Sequence, residues 1–242
     1  MLLNTRFKLI FLLFILVLIV IVLGNYIHVF FIKKNIDYEK TDAYLGANNL
    51  AILIEVDRKR LSVIDLNTGE IIKSYAVATG KPNSPTPLGT FKIVEKARWG
   101  GGFGSRWLGL DVPWGKYGIH GTNKPGSIGF NASAGCVRMR NKDVEELYDM
   151  VDYNTTVAIV NNPYYGPFGY GLRNLKPGDR GADVAEVQKR LKISGHYDGT
   201  IDGIYGEGMK KALIEFLKEN NIPLTDTITP NIYEKLNIIL MD

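Results

Sequence analysis

The chain has 242 residues, 45% hydrophobic and 22% charged, a balance that excludes global disorder and leaves room for one medium and one small domain. Its net charge of +4 is spread along the sequence, and no lysine or arginine block is dense enough to make nucleic acid a partner. One cysteine, Cys136, and three histidines, His28, His120 and His196, exclude a structural disulfide and leave no histidine/cysteine cluster for a metal.

From Leu9 to Leu23 the sequence is an unbroken run of fifteen apolar residues, preceded by Arg6 and Lys8. Interrupted only by Gly24, Asn25 and His28, it continues to Ile32, where Lys33 and Lys34 end it. As a helix, residues 9–32 would span about 36 Å, enough for a hydrocarbon core of roughly 30 Å. This predicts a short tip over 1–8, a transmembrane signal-anchor over 9–32 and a polar stalk over 33–49. A cleaved signal peptide, with Val22-Leu23-Gly24 as its processing site, is the alternative. Arg6 and Lys8 on one side nearly balance Lys33, Lys34 and Lys40 on the other, so charge alone does not orient the span.

Beyond Leu50 the pattern changes to strands. "LAILIEV", "RLSVIDL" and "EIIKSYAVA" are separated by turn signals at Asp57-Arg58-Lys59 and Asn67-Thr68-Gly69, predicting consecutive antiparallel hairpins. "TFKIV" and "TTVAIV" are further strands, and "RWGGGFGSRWLGLDVPWGKYG" reads as loops around short strands. One convincing helix begins at Asn141, taken as its N-cap, with Val144, Leu147, Tyr148 and Val151 on one face. The expectation is a mostly-β, sandwich-like domain over 50–160 with one main helix.

Residues 161–174, punctuated by proline and glycine, predict a flexible linker between independent cores. A small all-α domain of three helices is expected over 175–240. Val184, Val187 and Leu191 form one apolar stripe; Met209, Ala212, Leu213, Phe216 and Leu217 form a second. A short third helix opens at Thr229-Pro230. Between the first two, "YDGTIDGIYG" begins like a calcium-binding loop, but the position needing a bidentate glutamate is Met209. "GGGFG" lacks the lysine and hydroxyl residues of a phosphate loop.

The chemistry concentrates in "IHGTNKPGSIGFNASAGCVRM", residues 119–139. A cysteine nucleophile needs a base, a group to orient that base, and donors for the oxyanion. His120 can be the base for Cys136. No carboxylate or amide stands out as its orienting partner, which leaves a backbone carbonyl. Gly135 allows a tight turn with N–H groups directed inward.

"HGT", "SAGCVRM" and the upstream "TPLGTF" together resemble the catalytic domain of the YkuD-like L,D-transpeptidases over residues 50–160. The resemblance implies Cys136 as nucleophile, His120 as general base, the main-chain carbonyl of Gly121 as its orienting group, and N–H groups at Gly135 and Cys136 for the oxyanion. It implies Ser133 and Arg138 as residues that shape or bind the substrate. Ala134 departs from the family pattern, which has a histidine there. "LKPGDRGADVAEVQKRL" and "GHYDGTIDGIYGEGMKKALIEF" resemble a three-helix peptidoglycan-binding module, with Leu217 in place of the usual glutamine. Together the resemblances imply a peptidoglycan partner, with tetrapeptide stems as acyl donor and a stem amine as acceptor, no metal and no cofactor. They place both domains outside the cytoplasmic membrane, held by the N-terminal helix or secreted if that segment is cleaved. Formation of 3→3 cross-links is the activity implied; an L,D-carboxypeptidase and a catalytically inactive wall-binding protein are the alternatives.

Overall fold

The computed structural model describes residues 49–162 and 166–238. The expected tip, membrane span and all but the last residue of the stalk lie outside them, and no helix among the described residues is long and apolar enough to cross a membrane.

The first part of the chain forms ten strands: β1 (Leu50–Glu55), β2 (Arg60–Asp65), β3 (Ile71–Ala76), β4 (Thr79–Gly80), β5 (Gly89–Ala97), β6 (Trp107–Leu110), β7 (Tyr117–His120), β8 (Asn131–Ser133), β9 (Val137–Arg138) and β10 (Thr156–Val160). Eight of them run in the order β3-β2-β1-β10-β5-β6-β7-β9, while β4 and β8 make a separate pair. β1–β2 and β2–β3 are antiparallel hairpins, the first turning through Lys59 and the second through Gly69, both at positive φ. β1 pairs with β10 and β7 with β9 in parallel.

β5 joins the two halves of the sheet. Its first residues pair with β10, its later ones with β6, and the register shifts between Ile93 and Glu95. A bulged strand shared in this way lets a sheet fold over its own core. The alternation of each strand decides what enters that core. Val63, Ile52, Val157 and Phe91 form one buried row across β2, β1, β10 and β5; Leu108, Ile119 and Val137 form another across β6, β7 and β9. Helix α1 (Asn141–Met150) adds Val144 and Leu147, and Val151 at its C-cap completes the apolar contact. Lys96 donates to the Tyr148 and Val151 carbonyls at the end of α1, where a cation also suits the helix dipole.

The second core belongs to α2 (Ala182–Ile193), α3 (Glu207–Glu219) and α4 (Pro230–Lys235). Both stripes expected from the sequence are buried in it, and Leu175 and Ile228 exchange backbone hydrogen bonds that close the module. In the Asp-Gly loop, Asp202 accepts from Gln188 Nε2 at 2.8 Å and from the Ile204 N–H at 2.9 Å, so its carboxylate serves the loop itself. The segment expected as a linker is partly engaged: Phe168 is buried in the second core, and Tyr170 donates to the Thr86 carbonyl at 2.9 Å.

Candidate active site

The register that buries Ile119 and Val137 turns their neighbours to the opposite face. Trp107, His120 and Arg138 lie side by side on β6, β7 and β9. One pleat further along, Gly109 opposes Gly118, and the same register brings Cys136, just before β9, alongside Gly118. His120, on β7, and Cys136, just before β9, are thus diagonal neighbours on one face of the sheet.

Two glycines make this face possible. A methyl group at Gly118 would lie 2.6 Å from the Trp107 ring, and one at Gly109 would lie 2.8 Å from Trp107 Nε1. Without them the indole lies across the sheet, donates to Glu95 Oε2 at 3.0 Å, and stacks on Trp99 at 4.7 Å and on His120 at 5.8 Å between ring centroids. Phe103 meets the His120 ring edge-on at 5.0 Å. His120 is consequently only 3% exposed.

His120 Nδ1 donates to the Gly121 carbonyl at 2.5 Å, which leaves the lone pair on Nε2. Burial holds the imidazole below its ordinary pKa; the Gly121 and Phe103 carbonyls oppose this, and the Arg138 charge reinforces it. Cys136 moves the other way. Burial pushes its thiol up, against the pull of the Gly118 N–H and of Arg138. Burial thus favours the neutral form of each group, and no hydrogen bond joins them among the described residues.

The loop between β8 and β9 holds two of the residues expected at the site in hydrogen bonds of its own. The Gly135 N–H, expected to hold the oxyanion, donates to Ser133 Oγ at 3.0 Å. The Ser133 hydroxyl in turn donates to the Cys136 carbonyl at 2.6 Å and so braces the turn. Gly135 is needed there for a different reason: its φ of +116° suits glycine, and a methyl group would lie 2.6 Å from the Tyr117 ring. The Cys136 N–H bonds to no other described group. Arg138 donates through Nη1 to the Ala132 carbonyl at 3.3 Å, while its buried Nε has no partner among the described residues.

The sequence pattern predicts Asn141 as the cap of α1. Arg140 holds that position, and Asn141 is the first helical residue. Its Oδ1 instead accepts the Thr122 N–H at 3.0 Å and the Ser105 N–H at 3.3 Å. Side chains at Gly104 or Gly121 would collide with it. The sequence signal was present in the glycine pattern, but nothing in it names Asn141 as the common neighbour. The roles of Gly118, Tyr117, Phe103 and Trp107 likewise depend on strand register, which no local sequence signal specifies.

A family model of the L,D-transpeptidase catalytic domain matches residues 50–159, and one described as "Putative peptidoglycan binding domain" matches residues 180–236. The protein named "Putative L,D-transpeptidase YqjB" of Bacillus subtilis (strain 168) is 36% identical over 138 residues, covering 49% of this chain and 77% of that protein. "Putative L,D-transpeptidase YkuD" of the same organism is 45% identical over 109 residues, covering 45% of this chain, which therefore spans 64% of that relative's length. The NMR structure of the catalytic domain from E. faecium L,D-transpeptidase is similar at 22% identity and a TM-score of 0.40, covering 46% of this chain and 97% of that one. The chain belongs to the YkuD family of L,D-transpeptidases, and it carries a peptidoglycan-binding domain.

Proposed function

We propose that the protein is a cysteine-dependent L,D-transpeptidase that forms 3→3 cross-links in peptidoglycan. The observation that carries this reading is the placement of His120 and Cys136 on one sheet face, with Nδ1 of the imidazole fixed by the Gly121 carbonyl. His120 Nε2 takes the thiol proton, and the thiolate attacks the carbonyl between residues three and four of a tetrapeptide stem. The Cys136 N–H stabilises the oxyanion in place of Gly135. As the intermediate collapses, the imidazolium returns its proton to the departing D-alanine amine, leaving a thioester. An amine on a neighbouring stem then attacks the thioester; His120 accepts its proton and reprotonates the released thiolate. A general base of this kind contributes typically about 10²–10⁴-fold in rate.

The burial of both groups supports a concerted proton transfer over a standing thiolate, since the low-polarity surroundings disfavour either charge alone. The peptidoglycan-binding domain would raise the local concentration of an insoluble polymer. The N-terminal apolar run would hold both domains on the outer side of the cytoplasmic membrane. Hydrolysis of the thioester, an L,D-carboxypeptidase activity, is the second reading; it is favoured by exposed Ala134, which offers no base for an incoming amine. Product analysis with a defined tetrapeptide decides between them. A cross-linked dimer supports the transpeptidase, a tripeptide the carboxypeptidase, and no product would leave only a wall-binding protein.

A further inference from the structure

A cavity of about 1050 Å³ lies where the two cores meet. The catalytic domain contributes Ser84, Tyr117 and Ala134 to its wall, the connecting segment Tyr170 and Arg173, and the C-terminal module Arg180. The junction around it is built from specific contacts. Tyr170 reaches the Thr86 carbonyl, Arg180 Nη1 donates to the Trp114 carbonyl at 3.4 Å, and Ala182, Ala185 and Ile204 pack on the first core. Gly203, at φ +69°, lies so close to Trp114 that a methyl group there would be 2.5 Å from the indole.

The charges in this cavity are not equivalent. Arg173 is held by Asp183 at 2.7 Å and Asp179 at 3.5 Å, and so is neutralised within the module. Arg180 has no carboxylate partner among the described residues and is exposed. The Trp114 carbonyl that it holds adjoins Gly115, which lies against the Cε2 edge of the Tyr117 ring, while Gly135, next to Cys136, lies against the opposite Cε1 edge. The Tyr117 ring rests against Gly135, and Tyr117 and Ala134 line the cavity beside the nucleophile turn.

We propose that this cavity binds the peptide end of the acyl donor, with Arg180 receiving its C-terminal carboxylate, so that the module completes the catalytic site as well as binding the wall. This rests on the acyl-transfer reading, which fixes the scissile bond at Cys136. The carboxylate nearest that bond belongs to the leaving residue, one extended residue or about 3.3–3.6 Å of chain away. A guanidinium with no carboxylate partner among the described residues, across the Tyr117 ring from the nucleophile turn, is the donor suited to it, since guanidinium–carboxylate bonds are geometrically matched.

The test uses the full chain carrying Cys136→Ala, so that binding is read apart from chemistry. Its affinity is measured for a stem tetrapeptide ending in D-alanine and for the same peptide as its C-terminal carboxamide, with Arg180, Arg180→Ala and Arg180→Lys. Arg180→Ala is expected to weaken the acid peptide about tenfold, to leave the carboxamide unchanged, and to be partly rescued by lysine. Equal loss for both peptides would mean that Arg180 only supports the domain junction, and no loss for either would remove it from the site; both outcomes overturn the proposal. If the unsubstituted chain binds the acid peptide through Arg180 yet forms no thioester, the cavity assignment holds and the acyl-transfer reading falls.

Discussion

Asn141 Oδ1 and the Thr122 N–H, 3.0 Å apart, join the first residue of α1 to the loop that carries the orienting carbonyl of Gly121. The same oxygen accepts the Ser105 N–H. One side chain therefore fixes two loops beside His120, and acts on the imidazole through its carbonyl partner.

Replacing Asn141 with leucine removes the acceptor while keeping the side-chain size, and leaves two N–H groups unpaired. Acylation of Cys136 should slow by about ten- to a hundredfold, the cost of a small misplacement at a reacting group. Asn141→Asp keeps both acceptor positions and should retain most of the rate. Equal rates in the leucine and aspartate variants, measured by stopped mass-spectrometric sampling, would show that the clamp has no influence on His120.

The pH dependence follows from the direction of the His120 shift. The base is active when neutral, and burial lowers its pKa, so the acylation rate should fall on the acid side with a midpoint below 6.5, the ordinary histidine value. Arg138 lowers the pKa of both His120 and Cys136. Arg138→Gln should therefore move the acid limb to higher pH and make the thiol harder to ionise. A limb that stays in place would mean that the Arg138 charge is screened from the imidazole.

Gly118→Ala tests the floor of the site. The added methyl would meet the Trp107 ring and the Leu108 carbonyl, each at 2.6 Å, in a tightly packed region. Overpacking of this kind costs about 1–3 kcal/mol, which thermal unfolding should register as a clear drop in Tm. Acylation should suffer as well, because Trp107 stacks on His120. Unchanged stability would show that the indole moves aside freely.

Ala134→His places an imidazole at an exposed position two residues before Cys136. If that position assists the acceptor amine, the ratio of cross-linked dimer to tripeptide should rise. The ratio is read over a pH series, since an added base acts only where it is neutral. A constant ratio throughout would mean that position 134 has no part in the choice between amine and water.

How much of this was readable in the sequence depended on whether the signal was local. The hairpins at Lys59 and Gly69, the apolar stripes of α2 and α3, and the Thr229-Pro230 helix start are written in neighbouring residues, and each lies where expected. The Gly121 carbonyl beside His120 is also a local feature. Asn141 and Trp107 were not legible, because each acts on residues brought near by strand pairing. The partner of the Gly135 N–H is not legible either: Ser133, two residues away, accepts it only because the turn folds back on itself. Arg180 and Tyr117 come from different domains, and the packing of the two cores, with Trp114 against Gly203, brings them to one cavity.

The central claim, that Cys136 is acylated with His120 as its base, is tested most directly by intact-mass spectrometry of the protein mixed with a stem tetrapeptide. The unsubstituted chain should gain one tripeptidyl group, lost again on treatment with hydroxylamine, while Cys136→Ala should gain none. His120→Ala should acquire the same adduct about 10²–10⁴ times more slowly. An adduct that persists in Cys136→Ala, or one that forms at an undiminished rate in His120→Ala, would contradict the mechanism.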